Sequence, residues 1–288
     1  MTSLILGSAF ISRLCSALSS RSAPLLPARA VVADGATVGG LCLERVTVQR
    51  GQRQVLTDVS MPILEGGVTA IVGPSGAGKT TLLGVLNGLI RPAAGQLTLN
   101  GMGCLSSPET LQIHRRRTAT VFQEHALIDR LSALNNVLLG LADRRHPLSP
   151  LPWPAELQEQ AAAALREVGL LRHAHARVAN LSGGERQRIG IARAMVRQPR
   201  LLLGDEPFSA LDSGLAASLG NLLKGYAQAS GVTVVLVLHQ LDMARRLADR
   251  IVGLRDGRIC FDGPATDFDL AVQQQLFTST PSLSGEPK

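Results

Sequence analysis

Nine consecutive residues, GPSGAGKTT from Gly73 to Thr81, have the composition and spacing of a phosphate-binding loop. They fit the pattern G-x-x-x-x-G-K-[ST], in which glycines allow backbone N–H groups to point inward at anionic oxygens. Lys79 would place a positive charge beside the β- and γ-phosphates, and Thr80 would offer a hydroxyl to Mg²⁺. The predicted nucleotide-binding residues of this loop are Gly73, Pro74, Ser75, Gly76, Ala77, Gly78, Lys79, Thr80 and Thr81.

Two adjacent acids supply the carboxylates that such a loop needs. Asp205 and Glu206 follow the apolar run RLLLG, a pattern typical of a parallel strand that is buried on both faces. We expect Asp205 to face Mg²⁺ through its water shell and Glu206 to act as a general base on the attacking water. An acidic turn exposed to solvent is the structural alternative.

Two further polar residues end predicted strands in the same way. His239 ends VTVVLVLH and would donate to a γ-phosphate oxygen, and Gln123 ends TATVFQ and would contact metal and water. Polar groups at the carboxyl ends of parallel strands meet at one edge of a sheet, where α/β proteins bind ligands. The predicted catalytic set is Glu206, His239, Gln123 and Lys79, and the predicted metal set is Thr80, Gln123 and Asp205.

A second glycine pair, in LSGGERQRIG from Leu181 to Gly190, raises the question of why one chain would need two phosphate sites. Ser182 and the two glycines, together with the start of a helix, would form another group of N–H donors for anionic oxygens. The same residues also suit a structural helix cap, with Ser182 at the N-cap and Glu185 at the third helical position. The local pattern leaves both interpretations open.

The segments between these motifs predict an α/β fold. From Leu41 onward, LCLERVTVQ and RQVLTDVSMPI alternate like strands, and short apolar runs predict buried parallel strands. AELQEQAAAALREVGLL and ERQRIGIARAMVRQ have helical periodicity, the second with Arg186, Gln187 and Arg193 at polar positions. We expect a P-loop NTPase core with a mostly parallel sheet, an N-terminal antiparallel β part and an inserted α-helical subdomain.

The ends of the chain differ in composition from its centre. Residues 1–40 begin with a stretch rich in Ser, Ala and Leu that contains no acid, and we interpret them as a disordered leader or as a start assigned too early. A targeting peptide is the alternative. The predicted ATPase domain covers residues 41–270, with the helical insert at about 124–190, and residues 271–288 are predicted to be a flexible tail.

Composition narrows the possible partners. The chain has 288 residues, is 45% hydrophobic and carries a formal charge of +7, so it can form a core with a basic surface. Aromatic residues make up only 3%, which argues against a stacking platform for single-stranded nucleic acid, and we expect no nucleic-acid partner. No run of 18 apolar residues occurs, so no membrane span is predicted.

Together, six motifs in order resemble the ATP-binding cassette family over roughly residues 41–266. The resemblance implies a subunit that works as a head-to-tail homodimer, with each ATP held between the Walker A loop of one copy and the signature of the other. The motifs are a Walker A loop (GPSGAGKTT), a Q-loop (VFQE), a signature (Leu181, Ser182, Gly183, Gly184, Glu185), a Walker B strand (LLLGDEP), a D-loop (Ser209, Ala210, Leu211, Asp212) and a switch histidine (His239).

The same resemblance implies ATP and Mg²⁺ as cofactors and a separate integral membrane permease that docks near the Q-loop and the helical insert. It places the chain peripherally on the cytoplasmic face of the inner membrane. FQEHALIDRLSALNNVLLG, from Phe122 to Gly140, is similar to bacterial phosphonate importer ATPases. Uptake of phosphonate or a related oxyanion is therefore expected, with a periplasmic solute-binding protein as an indirect partner.

Other classes of cassette and P-loop protein fit less well. An exporter or lipoprotein-release ATPase has similar size and motifs and is the main alternative. Cassettes acting on DNA or ribosomes usually carry two cassettes or a long coiled-coil insert, and this chain has one Walker A loop and a short insert. A P-loop kinase would have a lid in place of LSGG, and a GTPase would have Asn-Lys-x-Asp, which is absent.

Two positions depart from the usual pattern of the family. Arg50 stands where an aromatic residue usually stacks on adenine, and no aromatic residue occurs between Leu41 and Ile71. Because a guanidinium plane can stack on a base, Arg50 is the predicted adenine contact. Glu185 stands where many members have glutamine, and both residues occur in the family.

Overall fold

The computed structural model describes residues 40–99, 103–122, 126–144 and 152–277. The leader predicted for residues 1–40 lies outside this part except for its last residue. Gln123, predicted to contact metal and water, also lies outside the described residues. Within the described ranges, no helix combines the length and the apolar character that crossing a membrane requires.

Two β-sheets and a set of helices form the described part of the chain. The strands are β1 (Leu41–Arg50), β2 (Arg53–Ile63), β3 (Gly67–Val72), β4 (Ala94–Leu99), β5 (Gly103–Cys104), β6 (Thr118–Val121), β7 (Leu201–Asp205), β8 (Thr233–Val237), β9 (Arg250–Arg255) and β10 (Arg258–Pro264). The helices are α1 (Lys79–Leu86), α2 (Pro108–Arg117), α3 (Ala133–Leu138), α4 (Ala155–Glu167), α5 (Gly183–Met195), α6 (Ser213–Ser230), α7 (Leu241–Leu247) and α8 (Leu270–Phe277). Short 3₁₀ turns occupy Leu139–Arg144, Leu171–His173, Val178–Asn180 and Ala265–Asp267.

The larger sheet has six strands in the order β10-β9-β3-β8-β7-β6. Strands β9, β3, β8, β7 and β6 run parallel, and β10 pairs antiparallel with β9 at one edge. Every residue of β7 and β8 is buried, as their continuous apolar runs predicted. The carboxyl ends of β3, β7 and β8 therefore meet at one edge of the sheet.

The smaller sheet is antiparallel, in the order β2-β1-β4-β5. In β1, Leu41 and Leu43 are buried while the residues between and after them are more exposed, which is the alternation expected for a sheet covered on one face. This sheet is the predicted N-terminal antiparallel part.

The larger sheet separates two apolar layers, because successive residues of a strand point to opposite faces. On one face, Ile71 and Leu203 pack in a cluster with α1 and the antiparallel sheet. On the other face, Ala70 and Leu202 pack in a cluster that includes residues of α3 to α7. The sheet is thus covered on both sides, and only its edges are available for a site.

Helices α3, α4 and α5 pack on one another in the segment where a helical insert was predicted. Leu157, Ala161 and Leu165 form the buried face of α4, with the spacing of an amphipathic helix. Helix α5 also contacts β6 and continues to Met195, beyond the boundary predicted near residue 190.

The prediction that residues 271–288 form a flexible tail is wrong for residues up to 277. These residues belong to α8, whose Leu276 is 1% exposed and packs over Gly253 of β9. The backbone N–H of Val272 donates to Asp269 Oδ1 at 2.9 Å, which supports the start of the helix. Residues 278–288 lie outside the described part of the chain.

Candidate functional site

The predicted phosphate loop joins β3 to α1 at the carboxyl edge of the larger sheet. Gly73 has a φ of +152°, and a Cβ at this position would lie 2.0 Å from the carbonyl oxygen of Leu254. Gly78 has a φ of +102°, and a Cβ there would lie 2.9 Å from the carbonyl oxygen of Val55. Both positions therefore require glycine, because the neighbouring atoms belong to the backbone.

Lys79 is held inside this loop. Its side chain is buried, and Nζ donates to the carbonyl oxygens of Gly73 and Pro74, each at 2.8 Å. Burial lowers the pKa of Lys79, and the negative charges of Glu206 and Asp205 oppose that shift. The ammonium group thus lies in the loop with both predicted acids close enough to act on it electrostatically.

Asp205 ends β7 in a buried position. Burial raises the pKa of Asp205, and a hydrogen bond with the Thr80 side chain acts in the opposite direction. Among the described residues, its Oδ1 atom has no hydrogen-bond partner. A buried carboxylate oxygen without a donor is unfavourable unless a cation or water contacts it. Thr80 and Asp205 therefore fit the hydroxyl and carboxylate that hold Mg²⁺ beside a P-loop.

Glu206 and His239 form a close pair across the ends of β7 and β8. Glu206 Oε1 lies 2.5 Å from His239 Nε2. Glu206 has a φ of +50°, a conformation that residues other than glycine adopt rarely and that is often found at functional positions. Its backbone N–H donates to the carbonyl oxygen of Val237 at 3.2 Å. The fold thus brings the predicted general base and the predicted switch histidine together.

The predicted signature starts α5 with a complete capping box. Ser182 Oγ accepts from the backbone N–H of Glu185 at 3.3 Å, and Glu185 Oε2 accepts from the hydroxyl and the backbone N–H of Ser182 at 2.8 and 2.9 Å. These hydrogen bonds are the main reason that the pKa of Glu185 is lowered. Ser182 and Gly183 stay exposed, so the cap leaves the start of the helix accessible.

The D-loop connects the predicted base to the signature of the same chain. Ser209 Oγ donates to the carbonyl oxygen of Glu206 at 3.1 Å. Further along the D-loop, Leu211 packs beside Gly184 of the signature. A Cβ added at Gly184 would lie 3.2 Å from Leu211 Cδ2. Asp212 then caps α6 through its side chain. This path was not predicted from the sequence, because it depends on how the loop folds back onto α5.

Arg50 is exposed at the end of β1, where it pairs in register with Arg53 of β2. The same β1–β2 hairpin reaches the phosphate loop further along, since the Val55 carbonyl lies against Gly78. Arg50 is therefore at the turn end of a hairpin that contacts the loop. Its contact with adenine stays a prediction.

The turn between β9 and β10 supports the phosphate loop and was missed in the sequence. Gly257 donates its N–H to the Ala77 carbonyl at 3.2 Å and accepts from the Thr57 N–H at 2.8 Å. A Cβ at Gly257 would lie 2.4 Å from the Val55 carbonyl oxygen. The Asp-Gly pair in LRDGRI is a signal for a hairpin turn, although it does not show which loop the turn contacts.

The predicted polar position of Gln187 is wrong. This side chain is fully buried, and neither of its amide atoms has a hydrogen-bond partner among the described residues. The buried face of α5 is wider than its periodicity indicated because β6, α3 and α4 all pack against it. Arg186 and Arg193 instead reach backbone carbonyls, those of Leu181 at 3.0 Å and Ala126 at 2.7 Å.

Comparison with known proteins agrees with these features. The family described as ABC transporter matches residues 56–209. The phosphonates import ATP-binding protein PhnC 2 of Rhodopseudomonas palustris is 57% identical over 237 residues, which are 82% of this chain and 84% of that protein. The phosphite import ATP-binding protein PxtA of Stutzerimonas stutzeri is 44% identical over 231 residues, covering 80% and 84% of the two chains.

A solved structure supports the fold independently. The dimeric ATP-binding cassette MJ0796, in a post-hydrolysis state bound to ADP and Pi, has a TM-score of 0.71 and 33% identity to this chain. The match covers 78% of this chain and 98% of that one. The predicted α/β class, with its parallel and antiparallel sheets, is confirmed. The chain therefore belongs to the ABC transporter family, as one of its ATP-binding cassettes.

Proposed function

We propose that this chain is the ATP-hydrolysing subunit of an importer that takes up phosphonate or a related oxyanion through a separate membrane permease. The observation that carries the proposal is the group formed by Lys79, Asp205, Glu206 and His239, in a chain 57% identical to a phosphonates import ATP-binding protein. The alternative, an exporter or lipoprotein-release ATPase, finds no support in relatives named for the import of phosphonates and phosphite.

The phosphate loop and its neighbours bind ATP in this proposal. Backbone N–H groups from Gly73 to Thr81 and the Lys79 ammonium hold the phosphates, and Arg50 stacks on the adenine. Thr80 and Asp205 would hold Mg²⁺, and the ion would offset negative charge on the phosphates.

Glu206 acts as the general base for hydrolysis. Its carboxylate takes a proton from the attacking water, a role that positioned carboxylates perform in other enzymes. His239 orients this carboxylate through the 2.5 Å contact of Nε2. A neutral imidazole has one N–H, so Nε2 leaves Glu206 before it donates to a γ-phosphate oxygen. Gln123, predicted to contact metal and water, lies outside the described residues.

Two copies of the chain complete two sites. Ser182, Gly183 and Gly184 of one copy bind the γ-phosphate held by the phosphate loop of the other, and the D-loop lies beside them. Each ATP is then bound by both copies, and the loss of its γ-phosphate removes the shared contact. The pair switches between closed and open states according to the bound nucleotide.

The permease docks at the side of the Q-loop and the helical part. Large apolar side chains that remain exposed near the Q-loop support this placement, among them Phe122 at 40% and Ile128 at 38%. The chain lies peripherally on the cytoplasmic face of the inner membrane. A periplasmic solute-binding protein delivers the solute to the permease and does not contact this chain.

The Glu206→Gln substitution tests the catalytic assignment. We expect ATP hydrolysis to fall by about 10²- to 10⁴-fold, because glutamine cannot accept the proton. ATP binding should persist, so the variant should accumulate as an ATP-dependent dimer in gel filtration. The matched control is Glu159→Gln, which removes an exposed acid from α4. A Glu206→Gln variant that stays monomeric with ATP would contradict the two-copy site.

The same variant tests the transported solute. Expressed with its permease and solute-binding protein, the wild-type chain should support ATP-dependent uptake of a labelled phosphonate, and Glu206→Gln should not. Uptake of phosphate, sulfate and phosphonate is measured side by side. Absence of ATP-dependent uptake for all three oxyanions, or transport in the outward direction, would contradict the proposed importer.

The Ser182→Arg substitution tests the role of the signature in the partner's site. A bulky cation at this exposed position should block the approach of the second copy, and turnover should fall by about 10²-fold or more, as when one transition-state donor is lost. Binding of a fluorescent ATP analogue to the same chain should be spared. Ser230→Arg, at the exposed end of α6, is the control. Undiminished ATPase activity in Ser182→Arg would rule out the role in the partner's site.

A further inference from the structure

The Ser182 hydroxyl is already engaged within its own chain. It donates to Glu185 Oε2 at 2.8 Å, and the Ser182 N–H donates to the same oxygen at 2.9 Å. A hydroxyl has one proton to donate, so Ser182 can donate to the partner's γ-phosphate only after it leaves this carboxylate. This requirement rests on the proposed function, in which the signature binds ATP held by a second copy.

Glu185 also places a negative charge next to that hydroxyl. The hydrogen bonds from Ser182 lower the pKa of Glu185, so the group is a carboxylate at neutral pH. While no phosphate is bound, this negative charge stabilises the N-terminus of α5, because anions interact favourably with the start of a helix. It repels a triphosphate that approaches the same helix end. Glutamine at this position would carry no such charge.

His173 lies on the other oxygen of the same carboxylate. Its Nδ1 is 2.9 Å from Glu185 Oε1. The carboxylate can only accept, so Nδ1 is the ring nitrogen that carries a proton in this contact. Among the described residues, Nδ1 has no partner with hydrogen-bond geometry. The contact is therefore a close polar contact that can still become an aligned hydrogen bond.

The backbone around His173 is held by its own hydrogen bonds. The residue ends the 3₁₀ turn Leu171–His173, its N–H donates to the Leu170 carbonyl at 2.9 Å, and its carbonyl accepts from the Ala176 N–H at 3.0 Å. The imidazole is thus presented from a fixed turn that lies outside α5. Glu185 can move between two partners, Ser182 on its own helix and His173 on the turn.

We propose that His173 is a positioning residue for the signature. When the partner's ATP arrives, the Glu185 carboxylate turns from Ser182 to the His173 Nδ1–H, which frees the Ser182 hydroxyl for the γ-phosphate. The imidazole also reduces the repulsion between the carboxylate and the triphosphate. Arg188, held by a 3.2 Å hydrogen bond from Nη1 to the Val168 carbonyl, adds a positive charge near Glu185.

ATP-dependent dimer formation is the measurement that tests this role, with the slow Glu206→Gln chain as the parent. His173→Phe keeps a ring of similar size and removes the N–H donor. We expect it to raise the ATP concentration for half-maximal dimer formation by about tenfold, the size expected when a hydrogen bond to a charged group is lost. His173→Asn places an N–H donor near the position of Nδ1 and should recover most of the loss.

A double-mutant cycle separates positioning from simple packing. In a Glu185→Gln background no carboxylate needs a partner, so His173→Phe should change the ATP requirement by less than about twofold. Titration of each monomer with a fluorescent ATP analogue reports whether the phosphate loop, and hence the cassette, is still folded. Glu185→Gln alone should lower the ATP requirement for dimer formation.

Each outcome decides the proposal. An equal loss from His173→Phe in both backgrounds would overturn it in favour of a structural role, and no loss in either would overturn it by showing that His173 does not affect dimer formation. A higher ATP requirement in Glu185→Gln alone would also overturn it, even if His173→Phe failed to fold. A parent that stays monomeric at saturating ATP would overturn the two-copy site and this role together. A parent that dimerises, but in which His173→Phe and Glu185→Gln act independently, would overturn only the role of His173.

Discussion

The two glycine-containing segments that are predicted to bind phosphate, the phosphate loop and the signature, are built in opposite ways. At the phosphate loop, Lys79 is 6% exposed, Gly73 has no room for a Cβ, and Asp205 Oδ1 has no partner among the described residues. At the signature, Ser182 is exposed and its hydrogen bonds with Glu185 form a complete cap. The first site leaves a buried charge that a ligand must satisfy, and the second is satisfied within its own chain.

This difference follows from the elements that carry each site. The phosphate loop follows β3, whose residues after Gly67 are all buried, and it is contacted from outside by Val55 and Gly257. The signature lies at the exposed end of α5, where the D-loop contacts Gly184. Rigid packing holds the phosphate loop in its binding conformation before the nucleotide arrives. In the proposed two-copy site, the signature binds phosphate only after its side chains exchange hydrogen-bond partners within the chain for the ligand.

The largest expected effect is on stability and compares one glycine from each site. Gly73→Ala should lower the free energy of unfolding by about 3 kcal/mol or more, because the new methyl group meets backbone at a strained φ. Gly183→Ala should change it by less than about 1 kcal/mol, since a helical glycine gains little from alanine and its Cβ would lie 4.0 Å from the nearest atom. Urea unfolding measures both. Equal losses would show that the two sites are equally rigid.

A smaller effect concerns ATP binding to the first site alone. Arg50→Tyr should tighten binding of ATP several-fold, because stacking of an aromatic ring on a base contributes about 1–3 kcal/mol. A fluorescent ATP analogue measures the affinity in the monomer, so the second site does not contribute. Arg53→Tyr, the cross-strand neighbour, is the matched control. An unchanged affinity in Arg50→Tyr would show that Arg50 does not contact adenine.

The smallest expected effect is on the stability contributed by His114, which contacts the end of α1, the helix that follows the phosphate loop. His114 is 3% exposed, and its Nε2 lies 2.7 Å from the Leu86 carbonyl at the end of α1. Burial lowers the pKa of His114, so the unfolded chain binds its proton more readily than the folded chain. The contribution of His114 is therefore fully present above about pH 6.5 and is lost as the pH falls below that ordinary histidine value.

His114→Gln keeps a donor for the carbonyl and removes the titrating ring. Its free energy of unfolding should fall less between pH 7.5 and pH 5.5 than that of the wild type, as measured with urea at both values. His175→Gln, which removes an exposed imidazole, is the matched control. If the two variants respond to pH in the same way, burial of His114 is not the source of the effect.

The sequence predicted those parts of the site that depend on local order. GPSGAGKTT specifies its own backbone conformation, and the apolar run before Asp205 specifies a strand that is buried on both faces. Helix α8 was missed because its ordering depends on tertiary contacts, those of the buried Leu276 on β9 and of Val272 on the core. The prediction that Gln187 occupies a polar position was wrong. Periodicity gives the direction of a side chain around a helix, and it does not give the number of elements that pack against that helix.

The sequence alone determined the α/β class, the residues of the phosphate loop and the residues of the signature, since each depends on residue types a few positions apart. Only the tertiary structure decided that Glu206 meets His239, that Gly257 supports the loop at Ala77, and that His173 reaches Glu185. The physical reason is that motif spacing specifies local backbone geometry. Contacts between residues distant in the chain depend on how sheets and helices pack into one core.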